Sequence, residues 1–160
     1  ESPGIGHGST FSVVLPLVEA PNEGVRPFPQ PGKPRTARAL RVLIVDDNND
    51  AADSLAELVR VMGHHVEVAY TATSALKLYD DTDPDLALLD IGLPDLDGYE
   101  LARRLRHMAK PGARFVALTG YGVDNAKKSR RESSFDEHIV KPITNEALEN
   151  LLAETARAGS

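Results

Sequence analysis

Arg41-Val-Leu-Ile-Val-Asp-Asp47 is an unbroken apolar run that ends in two adjacent carboxylates. Continuous apolar strands are buried on both faces, which marks a parallel sheet covered by helices rather than a half-solvated antiparallel one. Three more runs read the same way. Leu86-Ala-Leu-Leu89 leads into Asp90, Phe115-Val-Ala-Leu118 into Thr119 and Gly120, and His138-Ile-Val140 into Lys141-Pro142. Open parallel sheets bind ligands just beyond the carboxyl ends of their strands. As parallel neighbours, these runs bring three carboxylates, a hydroxyl and an ammonium to one rim. Such a set suits a divalent cation and a phosphoryl group.

Helical patterns fill the intervals between strands. Asp50 is read as the N-cap of a first helix, with Asp53 three residues on, an inner stripe of Leu55, Leu58, Val59 and Met62, and a stop at Gly63. A second strand is expected over His65–Tyr70 and a second helix over Thr73–Tyr79, burying Ala75, Leu76 and Tyr79. A third helix follows Gly98, with Leu101, Ala102, Leu105 and Met108 at helical spacing. A fourth lies within Val123–Ser133. It has only Val123 and Ala126 to bury, so it is expected to pack loosely. A fifth strand is placed near Phe135–Val140, and a last helix after Thr144 buries Ala147, Leu148, Leu151 and Leu152. Five strand–helix units in series predict an α/β, doubly wound, five-stranded parallel sheet.

The sequence divides before this pattern begins. Residues 21–38 hold five prolines without apolar periodicity and read as an extended linker. Residues 1–20 contain one strand-like run, Ser9–Leu17, after Gly4-Ile-Gly-His-Gly8, too little for a core of its own. The sequence-predicted domains are thus 1–20, a linker over 21–38 and a folded unit over 39–157. The formal net charge of −6 disfavours bulk nucleic-acid binding. Without cysteine there is no disulfide framework and no thiolate site, which fits a reducing compartment. No apolar run approaches the ~20 residues that span a bilayer, and no signal peptide is visible.

Each rim residue has an ordinary reading when taken alone: a loop aspartate, a turn threonine, a surface lysine. Their recurrence at successive strand ends is what argues for a site. Residues 40–156 resemble a receiver (response-regulator) domain of bacterial two-component signalling. The resemblance rests on Val45-Asp-Asp47, Leu89-Asp-Ile-Gly-Leu-Pro-Asp-Leu-Asp-Gly98, Ala117-Leu-Thr-Gly120 and Val140-Lys-Pro142. It implies a flavodoxin-like sheet of order 2-1-3-4-5 with five helices. It also implies that Asp90 is the phosphoacceptor, giving an aspartyl phosphate. Mg²⁺ would be held by Asp47, Asp90 and the Gly92 backbone carbonyl, with Asp46 orienting a metal-bound water. Lys141 and Thr119 would each bond a phosphoryl oxygen, and the Lys141–Pro142 bond would be cis. Where the family often has Tyr or Phe three residues before that lysine, this chain has His138, read either as a rotating switch partner of Thr119 or as a half-exposed strand histidine.

Gly4-Ile-Gly-His-Gly-Ser-Thr-Phe11 followed by Val13–Leu17 resembles the last glycine box and final strand of a histidine-kinase ATP-binding domain. The order suggests the receiver end of a hybrid sensor histidine kinase, cytoplasmic here and membrane-anchored through segments outside this sequence. The fragment itself is not a kinase; it would support Mg²⁺-dependent transfer to its own aspartate. The implied partner is a kinase phosphohistidine domain or a histidine phosphotransfer protein. Association is envisaged through residues 11–17 or through the face made by the helix within 123–133, the last strand and the last helix. A basic run (Arg103, Arg104, Arg106, then Lys127, Lys128, Arg130, Arg131) reads as a solvated face or an acidic-partner surface rather than a nucleic-acid site. His64-His65 does not read as a metal site, because adjacent strand residues face opposite sides. Two other functions compete: a receiver-like interaction module that is never phosphorylated, and a Mg²⁺-dependent aspartyl-phosphate phosphatase. The latter usually has a second Asp where this chain has Gly92.

Overall fold

The computed structural model of the protein describes residues 38–120 and 134–158. The expectations for residues 1–37, and for the helix within 123–133, lie outside the described residues.

Five strands form one sheet: β1 (Arg41–Val45), β2 (His65–Ala69), β3 (Leu86–Asp90), β4 (Arg114–Thr119) and β5 (Glu137–Val140). Their order is β2-β1-β3-β4-β5, and every pairing is parallel. The described helices are α1 (Asn49–Val61), α2 (Ala72–Thr82), α3 (Gly98–Met108) and α4 (Asn145–Ala158). The chain leaves β1 for β2 on one side and then crosses to β3 on the other. The carboxyl ends of β1 and β3 therefore flank a topological switch point, where such sheets bind ligands.

Strand alternation sends neighbouring residues into two cores. Val42, Ile44, Leu88, Val116 and Leu118 pack with Ala52, Leu55 and Val59 of α1 and with Leu148, Leu151 and Leu152 of α4. Leu43, Val45, Leu89, Phe115 and Ala117 pack with Ala75 and Tyr79 of α2 and with Leu101, Ala102 and Leu105 of α3. Burying each large aliphatic side chain is worth about 1.5–3 kcal/mol, so the central strands hold both helical layers.

The helix ends follow capping chemistry, and here the sequence reading needs correction. The N-cap of α1 is Asn48, not Asp50, and its Oδ1 accepts from Ala51 N at 3.1 Å. Asn48 is extended (φ −82°, ψ 98°) and precedes the first helical residue, the position from which a side-chain oxygen meets an N–H of the first turn. At the other end Gly63, at φ 90°, closes a Schellman motif: Gly63 N donates to Arg60 O and His64 N to Val59 O. Leu58 is 36% exposed and Met108 41% exposed, so neither belongs to the core; Ala56 fills the inner stripe instead. Thr71 and Ser74 form a capping box that starts α2 before the predicted Thr73. Thr144 caps the last helix as expected, its Oγ1 accepting from Ala147 N at 3.2 Å.

Ion pairs fix the amino end of the sheet. The Asp85 carboxylate accepts from Arg41 N at 2.8 Å and pairs with Arg38 and Lys110, each at 2.8 Å. Burial alone would raise its pKa, but these partners bring it below 3.8. Its contribution to stability is present above that value and is lost as pH falls through the depressed folded value. Arg103 and Arg104 pair with Glu100, and Arg106 stacks over Phe115 at 4.6 Å and pairs with Asp136. The α3 arginines are thus engaged within the domain. His64 is also structural: its Nδ1 accepts from Leu40 N at 3.1 Å.

The start of α3 lies under the last residues of β3. A Cβ built on Gly98 would stand 2.5 Å from Asp90 O and 2.6 Å from Ile91 Cα, both backbone atoms with nowhere to go. In an open helix Gly→Ala gains up to about 1 kcal/mol. Gly98→Ala is expected instead to lose roughly 1–3 kcal/mol through overpacking, measured by urea unfolding. A neutral or stabilising result would mean that this contact is not rigid.

Candidate functional site

Each rim residue owes its place to the end of a strand. Asp46 follows β1 and is only 3% exposed. Its N–H donates to Ala69 O at 3.2 Å, which keeps it in the sheet, and its Oδ1 accepts from Asn48 N at 3.0 Å. Asp47 turns out of the sheet and is exposed. Asp90 closes β3 with its side chain largely buried, and its Oδ1 accepts from Gly92 N at 3.0 Å. Parallel pairing sets Val45 beside Leu89, so the residues that follow each strand end converge.

Lys141 reaches this pair from β5. Its N–H donates to Thr119 O at 2.7 Å, and the Lys141–Pro142 peptide is cis, as the resemblance implied. The ammonium then bridges two carboxylates, 2.6 Å from Asp46 Oδ2 and 2.9 Å from Asp90 Oδ2. Thr119, at the end of β4, is 6% exposed, and its Oγ1 lies 3.5 Å from Ile139 O, at the limit of a hydrogen bond.

Oxygens of Asp46, Asp47 and Asp90 all lie within 4.8 Å of one another. Among the described residues, three carboxylates against one ammonium leave a formal charge of −2. Carboxylates this close repel, and a cation offsets that repulsion. The donors are hard oxygens, the kind Mg²⁺ takes alongside water and phosphate. The residues therefore fit a divalent cation and an incoming phosphoryl group. A separate cleft of about 420 Å³, lined by Arg41, His65, Glu67, Leu78, Asp81 and others, sits at the amino ends of β1 and β2, away from this chemistry.

His138 lies on the other arm of the rim. The register sets it beside Ala117, on the sheet face shared with Phe115 and Thr119. Its ring is half-buried and packs against Phe135 at 5.6 Å and Tyr99 at 6.3 Å, and those two rings meet edge to face at 5.5 Å. The sequence reading singled out His138 but not its ring partners, which come from α3 and from the approach to β5. Tyr99 stands in the first turn of α3 and Phe135 just before β5, and no sequence spacing links either ring to His138.

A parallel sheet with this rim is the frame of a phosphoacceptor domain. Residues 42–153 match the response regulator receiver domain, and the chain belongs to that family. Its function is that of the family, a phosphoacceptor domain in two-component signalling. It is similar to the sensor histidine kinase AtsR of Burkholderia thailandensis, 29% identical over 156 residues, which cover 93% of this chain and 25% of that protein. The virulence sensor protein BvgS of Bordetella bronchiseptica is 31% identical over 166 residues, covering 97% of this chain and 13% of that protein. The chain thus spans a quarter or less of either sensor. Among solved structures, a CheY-like receiver domain protein from Methanospirillum hungatei superposes with a TM-score of 0.68 at 30% identity, covering 76% of this chain and 98% of that one. No described helix is long and apolar enough to cross a membrane.

Burial alone would lower the pKa of Lys141, but its bonds to Asp46 and Asp90 raise it above 10.5. That stabilisation is fully present below 10.5 and is lost as pH rises through the higher folded value. The stability difference between the native chain and Lys141→Met is expected to shrink above that pH in urea titrations. A difference that stays constant through the alkaline range would contradict the bridge.

Proposed function

We propose that Asp90 is the phosphoacceptor, fed by a phosphohistidine of a partner kinase or phosphotransfer protein. The observation that carries this is the Lys141 ammonium held between Asp46 and Asp90 at 2.6 and 2.9 Å. A cation beside Asp90 supports the reading, because the negative charge of a transferred phosphoryl group has to be met there. An Asp90 carboxylate oxygen attacks phosphorus, the P–N bond to imidazole breaks, and the imidazole nitrogen keeps the electron pair and takes a proton. The product is an aspartyl phosphate.

The surrounding residues supply position and charge rather than covalent steps. Lys141 exchanges a carboxylate for a phosphoryl oxygen. The Thr119 hydroxyl, at the adjacent strand end, donates to another. Asp46, Asp47, Asp90 and the Gly92 carbonyl would hold Mg²⁺, whose charge would screen the carboxylate from the incoming phosphoryl oxygens. His138, packed with Tyr99 and Phe135, would carry the state of the rim into α3 and β5. The phosphoryl group then passes to water or to a phosphotransfer histidine.

The parent protein is proposed to be a cytoplasmic-facing hybrid sensor kinase, with residues 1–20 ending its ATP-binding domain, 21–38 a linker and 39–157 the receiver. Alignments covering 93% and 97% of the chain support this, because they extend past the receiver into the residues before it in two sensor proteins. Association through residues 11–17 or the β5 side remains part of the same proposal.

The test is incubation of the 160-residue chain with Mg²⁺ and acetyl phosphate, read by intact mass. One phosphoryl group should be gained, and lost with chelator or in Asp90→Asn. No gain with any small or protein phosphodonor would favour the reading as an unphosphorylated interaction module. In Lys141→Ala the group should still be accepted while the amide-exchange response over residues 121–140 is blunted. An undiminished response would remove Lys141 from the readout.

A further inference from the structure

The loop from Ile91 to Asp97 joins β3 to α3 and passes directly beside the acceptor. Gly92 N donates to Asp90 Oδ1 at 3.0 Å, so this loop orients the carboxylate. At its far end Gly98 N donates to Ile91 O at 3.3 Å, which closes the loop on itself. Leu93 is buried and Leu96 partly buried against the α2–α3 core. Between these two stands Asp95, an exposed side chain that the described chemistry does not use.

Asp95 is nevertheless fully engaged. Its Oδ1 accepts from Ala72 N at 3.1 Å, and its Oδ2 accepts from Thr73 N at 3.1 Å and from Thr73 Oγ1 at 3.2 Å. The reason lies at the start of α2. A helix leaves its first N–H groups without intrahelical acceptors. The local cap, Thr71, satisfies Ser74 N at 3.1 Å and leaves Ala72 N and Thr73 N unmet. Asp95 meets both from more than twenty residues away, and its negative charge suits the positive end of the helix dipole. The Ala72 N–H is the largest cause of its lowered pKa, followed by burial, which opposes the shift, and then by the Thr73 N–H. Because α2 is anchored in the core by Ala72, Ala75 and Tyr79, this clamp ties a surface loop to a fixed body.

We infer that Asp95 is a positioning residue of the acceptor site. By tying the β3–α3 loop to the first turn of α2, it fixes Gly92, whose N–H orients the Asp90 carboxylate. The inference rests on the reading of Asp90 and its neighbours as a Mg²⁺-dependent acceptor site, and it adds a residue outside that set. Partners that bond a metal ligand directly change affinity by roughly 10–100-fold. Asp95 acts one link further out, so its removal is expected to weaken Mg²⁺ binding about three- to tenfold.

The test titrates Mg²⁺ alone into the full chain by calorimetry, at a temperature where circular dichroism shows every variant folded. Asp95→Ala should weaken Mg²⁺ binding about three- to tenfold, and Asp95→Asn, which keeps one acceptor oxygen, should fall between it and the native chain. Thr71→Ala removes the local cap of the same helix without touching the loop. It should lower the melting temperature while leaving Mg²⁺ affinity unchanged. If Asp95→Ala lowers the melting temperature but binds Mg²⁺ like the native chain, Asp95 is a helix cap only and the inference fails. It fails equally if Thr71→Ala weakens Mg²⁺ binding as much. A native chain that binds no Mg²⁺ overturns the acceptor-site reading itself, and this inference with it.

Discussion

Two buried carboxylates held around one ammonium set the terms for the rest of this domain. Asp46 and Asp90 are 3% and 9% exposed, and Lys141 sits between them. Removing charges from water is expensive unless they are paired and hydrogen-bonded. Here each has its partner: Asn48 N on Asp46, Gly92 N on Asp90, and the shared lysine on both. Only the strand order makes that possible. Placing β3 directly beside β1 brings residues 44 positions apart to one edge, and β5 delivers the lysine past β4. Asp47 adds a third carboxylate within 4.8 Å of the other two. The arrangement therefore fits a cation beside the carboxylates, and the proposed function has Lys141 turn from them toward a phosphoryl oxygen.

Much of this was legible in the sequence because the deciding signals are local. Unbroken apolar runs identified the parallel strands, and the polar residues at their ends identified the rim. Strand residues alternate between two cores without any sequence marker of which helix covers which face, yet the order of units fixes that once the sheet is doubly wound. The helix ends were read less well. Asp50 was a plausible cap by type, but Asn48 lies where the turn after β1 brings a side-chain oxygen over Ala51. Leu58 and Met108 fit the helical stripes and still face outward, because the sheet covers a narrower arc of α1 and α3 than apolar spacing alone suggests.

What could not be read were relations across the fold. Gly98 looks like a simple helix start in sequence; its necessity comes from the backbone of Asp90 and Ile91 lying against it. Asp95 reads as a loop aspartate, and only the approach of α2 shows that it caps a helix it does not belong to. His138 was visible as a departure from an aromatic position, but the rings of Tyr99 and Phe135 around it come from elements distant in sequence. With those partners it sits in an aromatic cluster that a tyrosine or phenylalanine would also fill. That gives the substitution a physical basis, since a planar ring is kept at that point of β5.

The assignment of the acceptor can be read at the level of the modified atom. Borohydride reduces an acyl phosphate to an alcohol, so an aspartyl phosphate leaves a homoserine at the position that carried it. After exposure to a phosphodonor with Mg²⁺, reduction and peptide sequencing by mass spectrometry should place homoserine at position 90, and magnesium omission should abolish it. Homoserine at position 46 or 47, or labelling at 90 that is indifferent to Mg²⁺, would contradict the proposed division into acceptor and metal carboxylates.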